Sequence, residues 1–152
     1  MTMNRIMNSD LLVRNDEWGK GHWSASRGTR SHRGVDFVAS FGTEIYAPMI
    51  GIISHIGNAY DVDKYPGRSG LKTIWLETAM GRFKFLYVDP HVRLQQVMRP
   101  GEPLGVVQNI SAVYSDTMRN HVHVELWMKV LVDSTQGKTE LLPVDPLPIL
   151  QS

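Results

Sequence analysis

The chain of 152 residues contains no cysteine, which excludes a disulfide framework and any thiolate metal site. A metal held here must be ligated by imidazole and carboxylate. The missing thiols leave the compartment open, because a redox-indifferent protein works on either side of a membrane. Neither sign of charge dominates: 16 Lys and Arg face 15 Asp and Glu, for a formal net charge of +1. With no basic run interleaved with aromatics, no nucleic-acid footprint is expected. No stretch approaches the roughly 18–20 apolar residues of a membrane span. Met1 to Arg14 is broken by Asn4, Arg5, Asn8 and Asp10 and has no apolar run of the kind an export signal needs. Work outside the cytoplasm would need another route of delivery. What remains is ordinary for a soluble globular domain, with 42% hydrophobic and 20% charged residues. The length suffices to bury roughly two-thirds of the unfolded surface around one core.

The order of residues points to strands. Gly42 to Pro48 and Ile50 to Ile56 read as a turn, a short strand, a Pro-marked corner and a second strand. Leu71–Glu77 and Arg82–Val88 are β-prone runs around the turn Thr78–Gly81, which predicts a hairpin. Leu104–Gln108 follows the turn signal Pro100-Gly101-Glu102-Pro103, and His121–Leu131 is a further strand. Asn58 to Gly70 is a polar loop long enough to form a functional wall, and Asn109 to Arg119 is a second loop holding Tyr114 and Asp116. Met1–Lys20 reads as an arm or short helix that docks on something. Gly19–Gly28 is Gly/Ser-rich loop chemistry, and Leu142–Pro148 is too Pro-rich for regular structure. The domain is all-β or β-rich.

Two constellations carry chemistry. Asn120–Trp127 alternates apolar Val122, Val124 and Leu126 with polar residues, so His121, His123 and Glu125 share one strand face. Imidazoles two apart on a strand lie about 7 Å from each other and can reach a common ion or substrate. Upstream, His32 and Asp36 are four apart, on one face of a strand or a helix. Gly34 between them disfavours the helix and marks a bend or a close backbone approach. Each alone is weak, since such residues are commonly surface groups or simple hydrogen-bond partners. Together they hold the ligand types of a zinc site. His55, within a β run, reads as structural or surface.

In their order along the chain these segments resemble the lysostaphin-type zinc endopeptidases, which cut peptide cross-bridges of bacterial peptidoglycan. The likeness spans about Gly21 to Pro146. It is carried by His32-Arg33-Gly34-Val35-Asp36, Gly42–Pro48, Gly51, Leu86-Tyr87, Gly101–Gly105, His121–Glu125 and Val144-Asp145-Pro146. The lead-in Trp23–Arg27 and the loop ending at Tyr114 bring it nearest the leukocyte-derived chemotaxin branch. Members of that branch share the fold and the zinc site and are not established hydrolases. The resemblance implies an antiparallel sheet domain of the duplicated hybrid motif kind over residues 21–148, with long loops forming a cleft. An arm over 1–20 and a tail over 149–152 would flank it. It further implies one zinc ion (Zn2+) per chain on His32, Asp36 and His123, with the fourth position open to water, and His121 beside it as a catalytic residue. Such an ion lowers the pKa of its water to about 7. Glu125 is expected to orient a ligating histidine, with Tyr87 and Arg27 as further cleft residues.

One departure stands out. Active members of the family usually carry a histidine two residues after the tyrosine that ends the middle strand. Here Tyr87 is followed by Val88 and Asp89, and the nearest histidine is His91. Either Pro90 bends the chain so that His91 is the second catalytic histidine, or that role is vacant, at a cost of about a hundredfold or more in rate. The usual Gly/Ser/Thr-rich approach to the paired histidines is replaced by Ser111 to Asn120. Three functions therefore stand open: a zinc endopeptidase acting on peptidoglycan peptides, a catalytically weak or inactive zinc-holding binding module, and a structural assembly component with a vestigial cleft. Given a cell-wall target and no export signal, the first is expected as a bacteriophage product, made in the cytoplasm and acting at the cell wall or periplasm. It would be carried in a virion tail, docking on tail proteins through its N-terminal arm, or released at lysis.

Overall fold

The alternating stretch around His123 becomes the longest strand, and the main sheet is arranged about it. The computed structural model describes residues 3–27 and 30–151. Met1 and Thr2 of the expected arm, Gly28 of the expected loop and Ser152 of the tail lie outside them. The first strands are β1 (Asn15–Asp16), β2 (Gly19–Lys20), β3 (Ser26–Arg27), β4 (Arg30–Ser31), β5 (Val35–Val38), β6 (Glu44–Tyr46) and β7 (Gly51–Asn58). Then come β8 (Lys72–Thr78), β9 (Arg82–Leu86), β10 (Val88–Pro90), β11 (Val97–Met98), β12 (Pro103–Val107), β13 (His121–Asp133) and β14 (Lys138–Val144). Pro66–Arg68 forms a 3-10 turn and Leu147–Gln151 a short helix, α1. All the described pairings are antiparallel.

A seven-stranded sheet runs β11-β7-β8-β9-β13-β14, with β5 added beside β13, and a three-stranded sheet runs β10-β12-β6. β13 changes partner along its length. On one edge β9 covers His123–Trp127; on the other β5 covers His121–Val124 and β14 takes over from Leu126. His123 is thus paired on both flanks, with Leu86 and with Asp36. A slip of one residue on either side would turn every side chain to the wrong face.

The core holds that register. Val122, Val124 and Leu126 of β13, Phe83 and Phe85 of β9, and Ile74 and Leu76 of β8 are fully buried. They pack in one cluster with Ile45, Val88, Leu104 and Val107 of the small sheet. Each such side chain contributes roughly 1.5–3 kcal/mol on burial, so the apolar residues of β13 aim the polar ones at the opposite face. The fold is antiparallel and almost entirely β, as the sequence pattern implies.

Two segments differ from expectation. Residues 3–20 form no helix and dock as an arm on the domain itself. Ile6 and Met7 are fully buried in the main core, and the N–H groups of Tyr46 and Val38 donate to the carbonyls of Ile6 and Leu12, both at 2.7 Å. The polar composition hides this, because only Ile6 and Met7 are fully buried, with Met3, Leu11 and Val13 packed beside them on the core. The Pro-rich C-terminal segment is ordered as well. Pro143 lies on β14 at the sheet edge, where a missing N–H is tolerated. Pro148 sits in the first turn of α1, whose Leu150 is buried.

Gly34 enters β5 where its backbone passes β13. A β-carbon there would stand 2.4 Å from the Val124 carbonyl oxygen and 3.0 Å from Cε1 of His123. Gly34→Ala forces the strands apart and is expected to cost about 1–3 kcal/mol, read as a Tm lowered by roughly 2–4 °C per kcal/mol. An unchanged melting curve would contradict the close approach.

Candidate metal centre and its cleft

Asp36 on β5 and His123 on β13 are direct cross-strand partners, so register alone sets a carboxylate against an imidazole. His32 reaches the same point from the turn between β4 and β5. His32 Nε2 lies 3.1 Å from His123 Nδ1 and 3.3 Å from Asp36 Oδ1, and His123 Nδ1 lies 2.8 Å from that oxygen. All three residues are buried. Donors held about 2.0–2.1 Å from zinc on a tetrahedron stand about 3.3 Å apart. In size and chemistry the cluster fits the ion.

What turns the lone pairs inward is a set of outer acceptors. His32 Nδ1 is 3.1 Å from the His22 carbonyl, and His121 Nδ1 is 2.8 Å from the Arg119 carbonyl. A carbonyl only accepts, so each Nδ1 carries hydrogen and each Nε2 keeps a lone pair when the ring is neutral. His123 is turned the other way. Its Nε2 meets Glu125 Oε2 at 2.8 Å, and Nδ1 faces the cluster. Glu125 is itself fixed by the Trp127 indole, which donates to Oε1 at 2.7 Å. His121 Nε2 points to the same place, 3.7 Å from Asp36 Oδ2.

Asp36 has its own support. Arg14 Nε donates to Oδ2 at 3.1 Å, while Arg14 Nη1 is held by Asp16 at 2.7 Å, both side chains being buried. Arg27 Nη2 stands 3.7 Å from the same oxygen and donates to the Lys20 carbonyl at 2.8 Å. Asp16 also accepts the Arg119 N–H at 2.9 Å, which steadies the residue that holds His121. Burial would raise the Asp36 carboxyl, but hydrogen bonds from His123 and His32 hold it well below the usual carboxylate range. Burial likewise opposes a charged His123, yet Asp36 and Glu125 push it up to about 9. That proton is the one a metal would displace. Burial lowers His121 and favours its neutral form.

The cluster opens into a cleft of about 700 Å³ walled by Tyr60 and Arg68 of the loop after β7, Tyr114 of the loop before β13, and Tyr87. Tyr87 lies between β9 and β10 at φ 72°, a conformation that costs roughly 1–3 kcal/mol for a residue with a side chain. Its ring stands edge-on to His121 at 5.4 Å, and its hydroxyl lies 2.5 Å from that of Tyr60. The Tyr114 hydroxyl donates to Tyr60 at 2.6 Å.

His32, Asp36, His121, His123, Glu125, Tyr87 and Arg27 are brought together along this cleft. His91 is not among its lining residues. Pro90 is the last residue of β10, paired with Gly105, so the chain continues along the small sheet instead of bending back. The His91 side chain is 53% exposed and 3.9 Å from Asp89. Arg14, Tyr60 and Arg68 escape a reading of the sequence. Tyr60 and Arg68 fall inside the loop expected to be a wall, and Arg14 directly follows the Leu11-Leu12-Val13 cluster, the one hint that this part of the chain is anchored.

No family model matches the chain. It is 32% identical over 113 residues to leukocyte cell-derived chemotaxin-2 of Mus musculus, covering 72% of this chain and 69% of that protein. The chain belongs to the lysostaphin-type metallopeptidase family, in the branch that includes chemotaxin-2. Solved structures share the lysostaphin-type fold. The catalytic domain of the antimicrobial peptidase lysostaphin from Staphylococcus simulans is 21% identical, with 91% of this chain and 93% of that one covered and a TM-score of 0.58. A variant catalytic domain of the prophage-encoded protein EnpA from Enterococcus faecalis is 16% identical, with 95% of each chain covered and a TM-score of 0.58. In this member of the family His32, Asp36 and His123 form a cluster able to bind a metal.

Arg14→Met strips the cation from a buried carboxylate and is expected to cost roughly 3–5 kcal/mol in denaturant unfolding. Glu125→Gln leaves one acceptor oxygen for two donors, His123 Nε2–H and the Trp127 indole, and removes the negative charge, so metal affinity in a competitive titration should fall about 10–100-fold. Wild-type affinity in the Glu125 variant would show that this carboxylate does not orient the ligand.

Proposed function

We propose that this protein is a zinc-dependent endopeptidase that hydrolyses peptide links of bacterial peptidoglycan. The observation that carries the reading is His121. A purely structural metal site has no need of a further imidazole whose Nε2 lone pair faces the cluster while its Nδ1–H is fixed by a carbonyl. His32, Asp36 and His123 would hold the ion, which when bound polarises the scissile carbonyl and acidifies a water. His121 Nε2 accepts the proton of that water and returns it to the leaving amine. The Arg119 carbonyl keeps the ring aligned through both transfers. Glu125 and Arg14 hold His123 and Asp36 in place.

A catalytically weak or inactive binding module, or an assembly component built on the same cleft, is the second reading. It is favoured by His91, which is exposed and outside the cleft lining. For the peptidase, action at the cell wall or periplasm follows from its target chemistry. A bacteriophage source is in keeping with the fold likeness to a prophage-encoded protein. With Ile6 and Met7 engaged in the core, contact with tail proteins would use the exposed side of residues 3–20, where Leu12 is 52% exposed.

The purified protein is expected to hold about one zinc per chain and to release free amines from peptidoglycan in a chelator-sensitive way. His123→Ala should lose the metal. His121→Ala should keep it and lose hydrolysis by about 10²–10⁴-fold. Metal retained without release from several peptidoglycan types would favour the binding module, and wild-type hydrolysis by His121→Ala would remove its proposed role.

A further inference from the structure

Arg68 closes the 3-10 turn Pro66–Arg68 and lines the same cleft as His121 and His123. Its guanidinium carbon lies 4.8 Å, 4.6 Å and 4.7 Å from the ring centres of Tyr60, Tyr65 and Tyr114. The mount is stiff. Pro66 opens the turn, Arg68 N–H donates to the Tyr65 carbonyl at 3.0 Å, and Leu71 N–H donates to the Arg68 carbonyl at 3.2 Å. Tyr60 and Tyr114 are joined through their hydroxyls. Three tyrosine rings therefore hold the guanidinium by cation–π contact, and the N–H donors of its rim meet no acceptor among the described residues.

Among the described residues no carboxylate meets that rim. The carboxylates that line the cleft are engaged elsewhere. Asp36 is bound to Arg14 and His123, Glu125 to His123 and Trp127, and Asp61 to the backbone N–H groups of Asp63 and Lys64. Arg33 and Lys64 share the lining and have no carboxylate partner among the described residues either. The part of the wall with unanswered charge is cationic.

An arginine held in a cleft wall by aromatic rings, with no acceptor on its N–H donors, binds a carboxylate in a bidentate way at little further ordering cost. We infer that Arg68 is the receptor for a free carboxylate on the peptide that occupies the cleft. The protein then selects peptides bearing an anionic group over neutral ones such as plain glycine chains. The inference rests on the peptide-binding half of the reading above and not on hydrolysis.

Calorimetric titration of the metal-loaded protein tests it with two pairs of acetylated alanine pentapeptides. One pair ends in a carboxylate or a carboxamide, and the other is amidated and carries a central glutamate or glutamine. In at least one pair the anionic member should bind roughly tenfold tighter or better. Arg68→Gln should abolish that preference with metal content unchanged, and Arg68→Lys, which keeps the charge and loses the fork, should retain only part of it. An undiminished preference in Arg68→Gln would place the carboxylate on the metal or another cation and overturn the assignment. Equal binding within both pairs, or no binding at all, would also overturn it. Should Arg68→Gln not fold, full preference in Arg68→Lys counts against the fork and its loss in part counts for it. Peptidoglycan hydrolysis is scored separately, so a protein that prefers the anionic peptide and cuts nothing would defeat the peptidase reading and leave the role of Arg68 standing.

Discussion

A carboxylate buried at Asp36 is the constraint from which the rest of this site follows. An ionised carboxyl removed from water without partners is too costly to keep charged, and Asp36 nevertheless stays well below the usual carboxylate range because hydrogen bonds from His123 and His32 outweigh its burial. Each oxygen has its own duty. Oδ2 takes Arg14, and Oδ1 faces the two imidazoles. Arg14 reaches it from residues 3–20, which explains why that polar-looking segment is sewn into the domain by Ile6 and Met7. Compensation of one charge thus links the N-terminal segment, β5 and β13.

The same economy of outer partners gives each histidine a definite direction. His22 and Arg119 offer carbonyls to His32 and His121, and Glu125 offers a carboxylate to His123. None of these groups belongs to the cluster, yet they decide which nitrogen of each ring is free to act in it. The walls are held by a smaller apolar cluster of Leu71, Tyr87 and Ile110, separate from the main core. Tyr60 and Tyr114, which flank Arg68, pack on that smaller cluster and not on the strands of the main core.

Much of this is legible in the sequence because period-2 alternation carries orientation. The common face of His121, His123 and Glu125 follows from it, and the glycine at position 34 itself marks the close approach, where a side chain has no room. Arg14 is not legible, since its role comes from a partner 22 residues away across a fold in the chain. His91 shows a different limit. Its distance from Tyr87 along the chain says nothing about direction, and the left-handed backbone at Tyr87 keeps that ring in the cleft while β10 carries the next residues along the small sheet. Such a conformation leaves no mark in the pattern when the residue is not glycine. The ordering of the Pro-rich segment is hidden for the opposite reason: proline is excluded from most strand positions, and an edge is where it is allowed.

The most direct test of converging lone pairs is long-range proton–nitrogen NMR of the histidine rings in the zinc-loaded protein, which reports the tautomer of each imidazole. Hydrogen is expected on Nδ1 of His32 and of neutral His121, and on Nε2 of His123. A proton on Nδ1 of His123 or on Nε2 of His32 would contradict this, because the nitrogen assigned to the metal would then have no lone pair to give.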